Sequence, residues 1–471
     1  MAFLIGGANS AAADDAYSIA NSCRFNYADS AYLTRTFGSA GNRRTWTFST
    51  WCKRSKFGAQ QTLFGTSSAS GTYHLFYWGS DETLSHNFSG ANVSTGKFRD
   101  PSAWYHVVCA VDTTQGTAAN RVKLYVNGVQ SGTGTYPDED AEMILNDAVR
   151  CDVGSSGAHY TSHMCGHYLA ETVFIDGTQY AASDFGEFDE DSPTIWKPKD
   201  VSGLTFGTNG FYLDYEASDN LGNDANGGTD LTETNLAAAD QATDTPTNNF
   251  CTWNPLEAYY YNGTFSEGNV QTITAASEYG YLPATIGMSA GKWYCEIEYD
   301  AKSGGGGAGQ IGITSSQASS ATNQLGVNVA DYGWYGPDGV VYNDTGGEDN
   351  STQLNTFTEG DIIGIYLDLD NNKLYFAKNG TLENSGTGIS ITAPASTPIG
   401  AYFFAIGYPS SSYTGTYKAN FGGCPAFAIS SGNTDANGYG NFEYDPSAGT
   451  FDSASKDFLA LCTKNLGSDG G

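Results

Sequence analysis

Three groups of residues in this chain have types and spacings that could do chemistry. Glu296, Glu298 and Asp300 sit at i, i+2 and i+4 in GKWYCEIEYD, so on a strand their carboxylates share one face. Two carboxylates flanking a glycosidic bond are what glycan hydrolysis needs, but one must also have a raised pKa, which spacing does not supply. The run is therefore expected to be structural, and no catalytic residue is assigned. His159, His163 and His167 lie four residues apart around Cys165, and imidazole with thiolate suits zinc. Gly154 and Gly157 precede them, Gly166 interrupts them and a strand-like YLAETVFID follows, so a polar loop is expected and the zinc set stands as the alternative. The third group is the loop DYGWYGPDGVVYNDTGGEDN, Asp331 to Asn350. It sets Trp334, Tyr335 and Tyr342 beside Asp338 and Asn343, flat apolar faces next to hydrogen-bonding groups that suit a sugar or a protein hot spot. Tyr413, at the tip of GYPSSSYTGTY, is a second candidate of the same kind. Asp138-Glu139-Asp140 and the Asp219 to Asp224 segment could offer oxygen ligands to Ca²⁺, though neither has a fixed ligand spacing. No cofactor is otherwise expected.

These residues must be positioned by strands. In DIIGIYLDLDNNKLYFAKNGT, Asp361 to Thr381, the triplet Asp370-Asn371-Asn372 separates two alternating runs and Asn379-Gly380 ends the second, which predicts a β-hairpin followed by another tight turn. AVDTTQGTAANRVKLYVNGV, Ala110 to Val129, repeats the pattern with a longer loop and a closing Asn127-Gly128. An aromatic strand precedes each hairpin, Ser102 to Asp112 in one case and Gly291 to Asp300 in the other. The predicted fold class is all-β, with two antiparallel β-sandwich (jelly-roll) domains in tandem. Residues 1–20 are predicted as an N-terminal arm, 21–218 as the first sandwich and 219–249, rich in Asn, Gly, Thr, Asp and Ala, as a linker. Residues 250–428 make the second sandwich and 429–471 a C-terminal extension.

Composition agrees with many strands joined by tight turns: 59 Gly, 31 Tyr and 25 Phe in 471 residues, with 15% charged. A formal net charge of -30 repels a phosphate backbone and an anionic membrane surface alike, and no apolar run approaches the roughly 20 residues that span a bilayer, so neither nucleic acid nor membrane insertion is expected. Nine scattered cysteines without CxxC pairs read as small buried apolar residues of a chain made in a reducing cytoplasm. Phe3, Leu4 and Ile5 form one apolar patch in an otherwise small and polar arm. They are expected to seek a partner surface, which makes them assembly candidates and favours a homo-oligomer.

SCRFNYADSAYLTRTF, AGNRRTWTFSTWCKRSKFGAQQTLF, AWYHVVCAVD, VKLYVNGV and YLAETVFIDG, in that order, resemble the laminin-G-like, concanavalin-A-like jelly roll of bacteriophage fibre and appendage proteins. GKWYCEIEYD, GQIGIT, YGWYGPDGVVYNDTG, GDIIGIYLDLDNNKLYFAKNG and YKANFGG resemble an SPRY domain, a bent antiparallel sandwich that binds protein or peptide ligands through its loops. That resemblance implies core positions for Tyr332 and Trp334. Together the two resemblances imply a non-enzymatic virion appendage, a tail fibre or adhesin synthesised in the host cytoplasm. It would contact other virion proteins and a host-surface glycan or protein. A structural capsid or tail decoration protein is the alternative reading, and a glycan hydrolase a further one.

Overall fold

The structure is a computed structural model that describes residues 4–5, 17–69, 72–159, 163–275, 279–303, 309–320, 323–343, 352–408, 413–452 and 456–469. The chain divides into two compact units, Ala13–Thr247 and Asn248–Gly471, the second also taking in the short N-terminal strand Leu4–Ile5.

The first unit is two antiparallel sheets face to face. One runs in the order Val129–Ser131, Val122–Val126, Trp104–Asp112, Thr45–Arg54, His167–Asp176, Ser22–Phe25, Gln241–Ala242, with Phe211–Leu213 also on His167–Asp176. The other runs Thr133–Gly134, Ala91–Lys97, Thr83–Phe88, Thr72–Trp78, Gln61–Ala69, Arg150–Val153, Tyr32–Thr36, Thr232–Thr234. Alternation along Thr45–Arg54 sends Trp46, Phe48 and Cys52 into the space between the sheets, where Phe48 stacks on Phe64 at 4.7 Å between ring centroids. The Asn127-Gly128 turn has φ of 47° and 78°, the left-handed pair that a two-residue hairpin turn requires and that Asn and Gly tolerate. All nine cysteines are buried thiols, as their positions predict.

Two boundaries differ from the sequence expectation. Residues 219–247 are not a linker: Thr232–Thr234 pairs with Tyr32–Thr36, Gln241–Ala242 pairs with Ser22–Phe25, and Leu221 and Leu231 enter the core. A buried ion pair fixes the last part, Lys53 Nζ to Asp244 Oδ2 at 2.6 Å, and Trp104 Nε1 donates to the other carboxylate oxygen at 3.0 Å. The segment has too few apolar residues to make a core of its own, but its backbone can complete the edges of sheets already formed. The arm is also shorter than residues 1–20, because Ile19 is buried and its backbone N–H donates to Thr247, while the Tyr17 hydroxyl meets Glu171.

The second unit is likewise a sandwich. Its larger sheet runs Thr264–Ser266, Gln271–Ile273, Gly415–Asn420, Lys292–Lys302, Asp361–Asp368, Lys373–Lys378, Thr381–Leu382, with Ile389–Ser390 and Leu459–Ala460 attached to its middle strands. The smaller runs Gly280–Pro283, Phe403–Tyr408, Gln310–Thr314, Tyr332–Tyr335, Val341–Tyr342. The predicted hairpin is Asp361–Asp368 with Lys373–Lys378, and the turn after it has φ of 48° and 75° at Asn379 and Gly380. The described residues of the C-terminal extension, 429–452 and 456–469, form a layer on the sandwich. Phe442, Phe451 and Phe458 cover Tyr294, Tyr366 and Tyr375 on the outer face of the larger sheet. Within this layer Leu459–Ala460 adds a parallel strand beside Trp293 and Tyr294, and Thr463–Asp469 is a short helix.

Candidate functional site

The aromatic loop divides by strand parity. Along Tyr332–Tyr335, alternate residues face opposite ways. Tyr332 and Trp334 enter the core, where Trp334 is fully buried and packs on Phe357 and Phe376 at 5.0 and 5.4 Å. Trp334 is therefore removed from the candidate binding residues. Tyr335 faces outward, and Tyr342, which sits opposite Gly333, faces the same way, so the two rings meet edge to face at 5.7 Å and 85°. Asp338, at the tip of the hairpin between them, accepts the Tyr342 hydroxyl at Oδ2 (3.2 Å) and the Val340 N–H at Oδ1 (2.9 Å). Gln353, which sequence reasoning missed because no pattern marks it, donates its side-chain amide to the Asp338 carbonyl. Burial, then the Asp338 carboxylate and Tyr279, hold the Tyr335 phenol above its ordinary pKa. Asn343 follows Tyr342, half exposed, and residues 344–350 of the loop lie outside the described residues.

Tyr413 belongs to the same end of the sandwich. Gln310 pairs with both Tyr335 and Gly407, and the Tyr408 hydroxyl donates to the carbonyl of Thr414 at 3.3 Å. Tyr413 is half-buried against the core, with residues 409–412 outside the described residues. Tyr335, Asp338 and Tyr342 thus gather at one hairpin, an edge-to-face aromatic pair with a fixed carboxylate beside it, while Tyr413 packs against the core.

The other constellations disperse. Glu296, Glu298 and Asp300 do share the outer face of their strand, as spacing predicts, but each is engaged. Glu296 is fully buried and accepts from Tyr294 Oη at 2.9 Å, Asn420 Nδ2 at 2.9 Å, Glu443 N at 3.0 Å and Tyr444 N at 2.7 Å. Burial pushes its carboxyl up to about 7 against the pull of these donors. Glu298 and Asp300 meet Lys418 Nζ at 3.7 and 2.7 Å. This carboxyl anchors the C-terminal layer. His159 is exposed, His163 approaches Gln60, and His167 is buried in a strand with its Nδ1 accepting from Ser55 N. Among the described residues, no three of His, Cys, Asp and Glu come together in a way that could hold a metal ion. In the acidic loops Asp140 pairs with Arg44, Glu139 with Arg121, and Asp224 accepts from Tyr212 N. Leu4 and Ile5 run parallel to Ile286 and Gly287, and Phe3 lies outside the described residues.

Comparison with known proteins gives each unit a family. Residues 27–156 match the concanavalin A-like lectin/glucanases superfamily, and residues 292–418 match the SPRY domain. A Ran-binding proteins 9/10 homolog of Drosophila melanogaster is 35% identical over 96 residues, 20% of this chain and 10% of that protein, so the match spans a tenth of the fly protein's length. The SPRY domain of human HERC1 is similar at 16% identity and a TM-score of 0.29, over 37% of this chain and 99% of that one. Domains LG4-5 of the mouse laminin alpha1 chain are similar at 9% identity and a TM-score of 0.30, over 88% of this chain and 92% of that one. The chain is a concanavalin-A-like, laminin-G-type jelly roll followed by an SPRY domain.

Proposed function

We propose that this protein is a non-enzymatic recognition protein of a virion, a tail fibre or adhesin, that contacts a host-surface glycan or protein. The lectin-type first unit supports a carbohydrate ligand. The virion setting rests on the resemblance of the motifs to those of phage fibre and appendage proteins. The observation that carries the recognition reading is the Tyr335–Tyr342 pair, held edge to face beside Asp338 at a loop end. Hydrolysis finds no support in the acidic run, whose carboxylates are tied to the C-terminal layer and to Lys418. Labelling of purified particles tests the setting, and binding of the full chain to host cells tests recognition. Tyr342→Ala and Asp338→Ala are expected to weaken cell binding without changing the melting temperature. Undiminished binding by both variants, or absence of the protein from particles, overturns the reading.

A further inference from the structure

One carboxylate of the first unit is buried without a counter-charge. Opposite Thr50 the strand His167–Asp176 carries one residue too many: Ala170 pairs with Trp51 and Val173 with Ser49, so Glu171 and Thr172 share a single partner. This β-bulge sets Glu171 at φ 49°, a left-handed backbone that a glutamate adopts at some cost. The bulge also changes the facing of the strand. Leu169 lies in the core between the sheets, and strict alternation from it would send Glu171 there too. Instead the carboxylate meets the hydroxyl of Tyr212, which belongs to the apolar cluster on the outer face of the sheet.

Tyr212 Oη donates to Glu171 Oε2 at 2.8 Å, and Tyr17 Oη lies 3.2 Å from the same oxygen and 3.1 Å from Tyr212 Oη. Glu171 is 5% exposed, and among the described residues no Lys, Arg or His forms an ion pair with it. The charged groups that bear on the site are all carboxylates. Asp214 and Glu216, which follow Tyr212 along the chain, act on Glu171, and Asp200 acts on Tyr17. Burial first raises the Glu171 carboxyl, the two hydroxyls pull it back, and Asp214 and Glu216 add to the rise, which brings it to about 7. Burial and then the Glu171 charge hold both phenols above their ordinary range, so they remain donors. Asp200 accepts from Ser202 N at 2.8 Å, which keeps its carboxyl below the ordinary range and charged while Glu171 titrates.

The two phenols are held differently. Tyr212 sits on Phe211–Leu213, paired with Val173 of the bulged strand. Tyr17 belongs to no strand and is half-buried, and the chain is pinned just behind it, where Ile19 is buried and its N–H donates to Thr247 Oγ1 at 3.1 Å. We propose that Tyr17 is a proton-operated latch: its ring lies seated over a protonated Glu171 and swings away about Ser18 when Glu171 ionises. A carboxylate with no cation needs water. Tyr17 can make way for it without breaking a sheet, whereas Tyr212 cannot. An open latch hydrates Glu171, which then titrates near its ordinary 4.5 rather than near 7, so closing takes up a proton between those values. Seating is fully favoured below the lower value, weakens by up to about tenfold for each pH unit above it, and is lost as pH rises through the upper one. Acid fastens the start of the first unit, and neutral pH frees it.

Hydroxyl-radical footprinting of the full chain, from about pH 5.5 to about pH 8 across this window, reads the exposure of the Tyr17 ring. Tyr259, 84% exposed, is the internal standard. Oxidation of Tyr17 relative to Tyr259 is expected to rise severalfold with pH and to level off above about 7. Glu171→Gln, neutral at every pH and still an acceptor for the hydroxyls, should hold Tyr17 at its acid level throughout. Tyr212→Phe removes a donor that favours the charged carboxylate, so at the alkaline end Tyr17 should be more reactive than in the parent chain. Thermal melting checks that each variant folds, and the Tyr212→Phe comparison stands by itself if Glu171→Gln does not. Tyr17 reactivity in the parent that is unchanged by pH or greater in acid, the same rise in Glu171→Gln, or Tyr212→Phe no more reactive than the parent overturns the proposal.

Discussion

Asp244→Ala asks whether residues 219–247 belong to the first unit. The Asp244 carboxylate is 2% exposed and the Lys53 side chain 1%, with 2.6 Å between Oδ2 and Nζ, and Trp104 Nε1 also donates to Asp244. Removing the carboxylate leaves an ammonium in a dry site with its main counter-charge gone, a loss of about 3–5 kcal/mol. The stranded indole N–H overlaps with that figure rather than adding to it. For a unit of this size the loss lowers the melting temperature by on the order of 10 °C. Limited proteolysis supplies the local readout: the parent chain should resist cleavage between Asp219 and Thr247, and Asp244→Ala should be cut there first. Pairing Lys53→Met with Asp244→Leu should restore resistance, because a packed apolar pair can replace a buried ion pair at little cost. Early cleavage of the parent chain inside 219–247, or a variant that melts and digests like the parent, would refute the reasoning.

The buried histidines set an acid limit on the first unit. Leu145 N donates to His74 Nδ1 at 3.3 Å, so His74 Nε2 donates to His86 Nε2 at 2.6 Å, and burial holds the His74 imidazole well below its ordinary range and lowers His86 to about 3. The unfolded chain binds these protons near pH 6.5, so stability falls as pH drops from there toward 3, by about 2 kcal/mol per imidazole near pH 5. His86→Gln should flatten that slope in denaturant titrations at several pH values, and an unchanged slope would dismiss the assignment. Trp334→Ala should cost about 3–5 kcal/mol by opening a core cavity, whereas Tyr335→Ala should be nearly silent in stability and visible in binding; the reverse pattern in paired melting and binding measurements would undo the division of the loop. Glu296→Ala should expose residues 441–444 to protease by removing the acceptor of two backbone N–H groups, and intact resistance would count against the anchor. Deleting Met1–Ala16, which spares Tyr17 and Ile19, removes the strand that pairs with Ile286 and Gly287 and should lower the melting temperature of the second unit while keeping the far-UV spectrum; an unchanged melting temperature would sink the role given to that strand.

Local signals in the sequence carried much of this fold. Asn127-Gly128 and Asn379-Gly380 announce their turns because few other residue pairs accept two successive left-handed conformations, and alternating apolar residues announce the strands between them. What escaped was decided by distant partners. Nothing near Asp244 marks it as the counter-ion of Lys53, so a polar stretch read as a linker while its backbone completes two sheet edges. The four-residue spacing of His159, His163 and His167 suggests a common stripe only on a helix, and Gly166 and the strand from His167 remove that geometry. In the aromatic loop, composition named the right neighbourhood, and only the pairing of Gly333 with Tyr342 tells which rings face out.

The parallel strand Leu459–Ala460 beside Trp293 and Tyr294 bears on how this protein comes to be made. Contacts so distant in sequence are closed late, after the loop-closure entropy of everything between them has been met. Until the C-terminal layer arrives, Tyr294, Tyr366 and Tyr375 form a bare aromatic sheet face. For that interval during synthesis, the SPRY unit still lacks Leu459, Leu461 and Leu466 of its inner core and presents this face uncovered. Crowded nascent chains would associate through it, so the yield of soluble protein is governed by how quickly the last stretch of the chain docks.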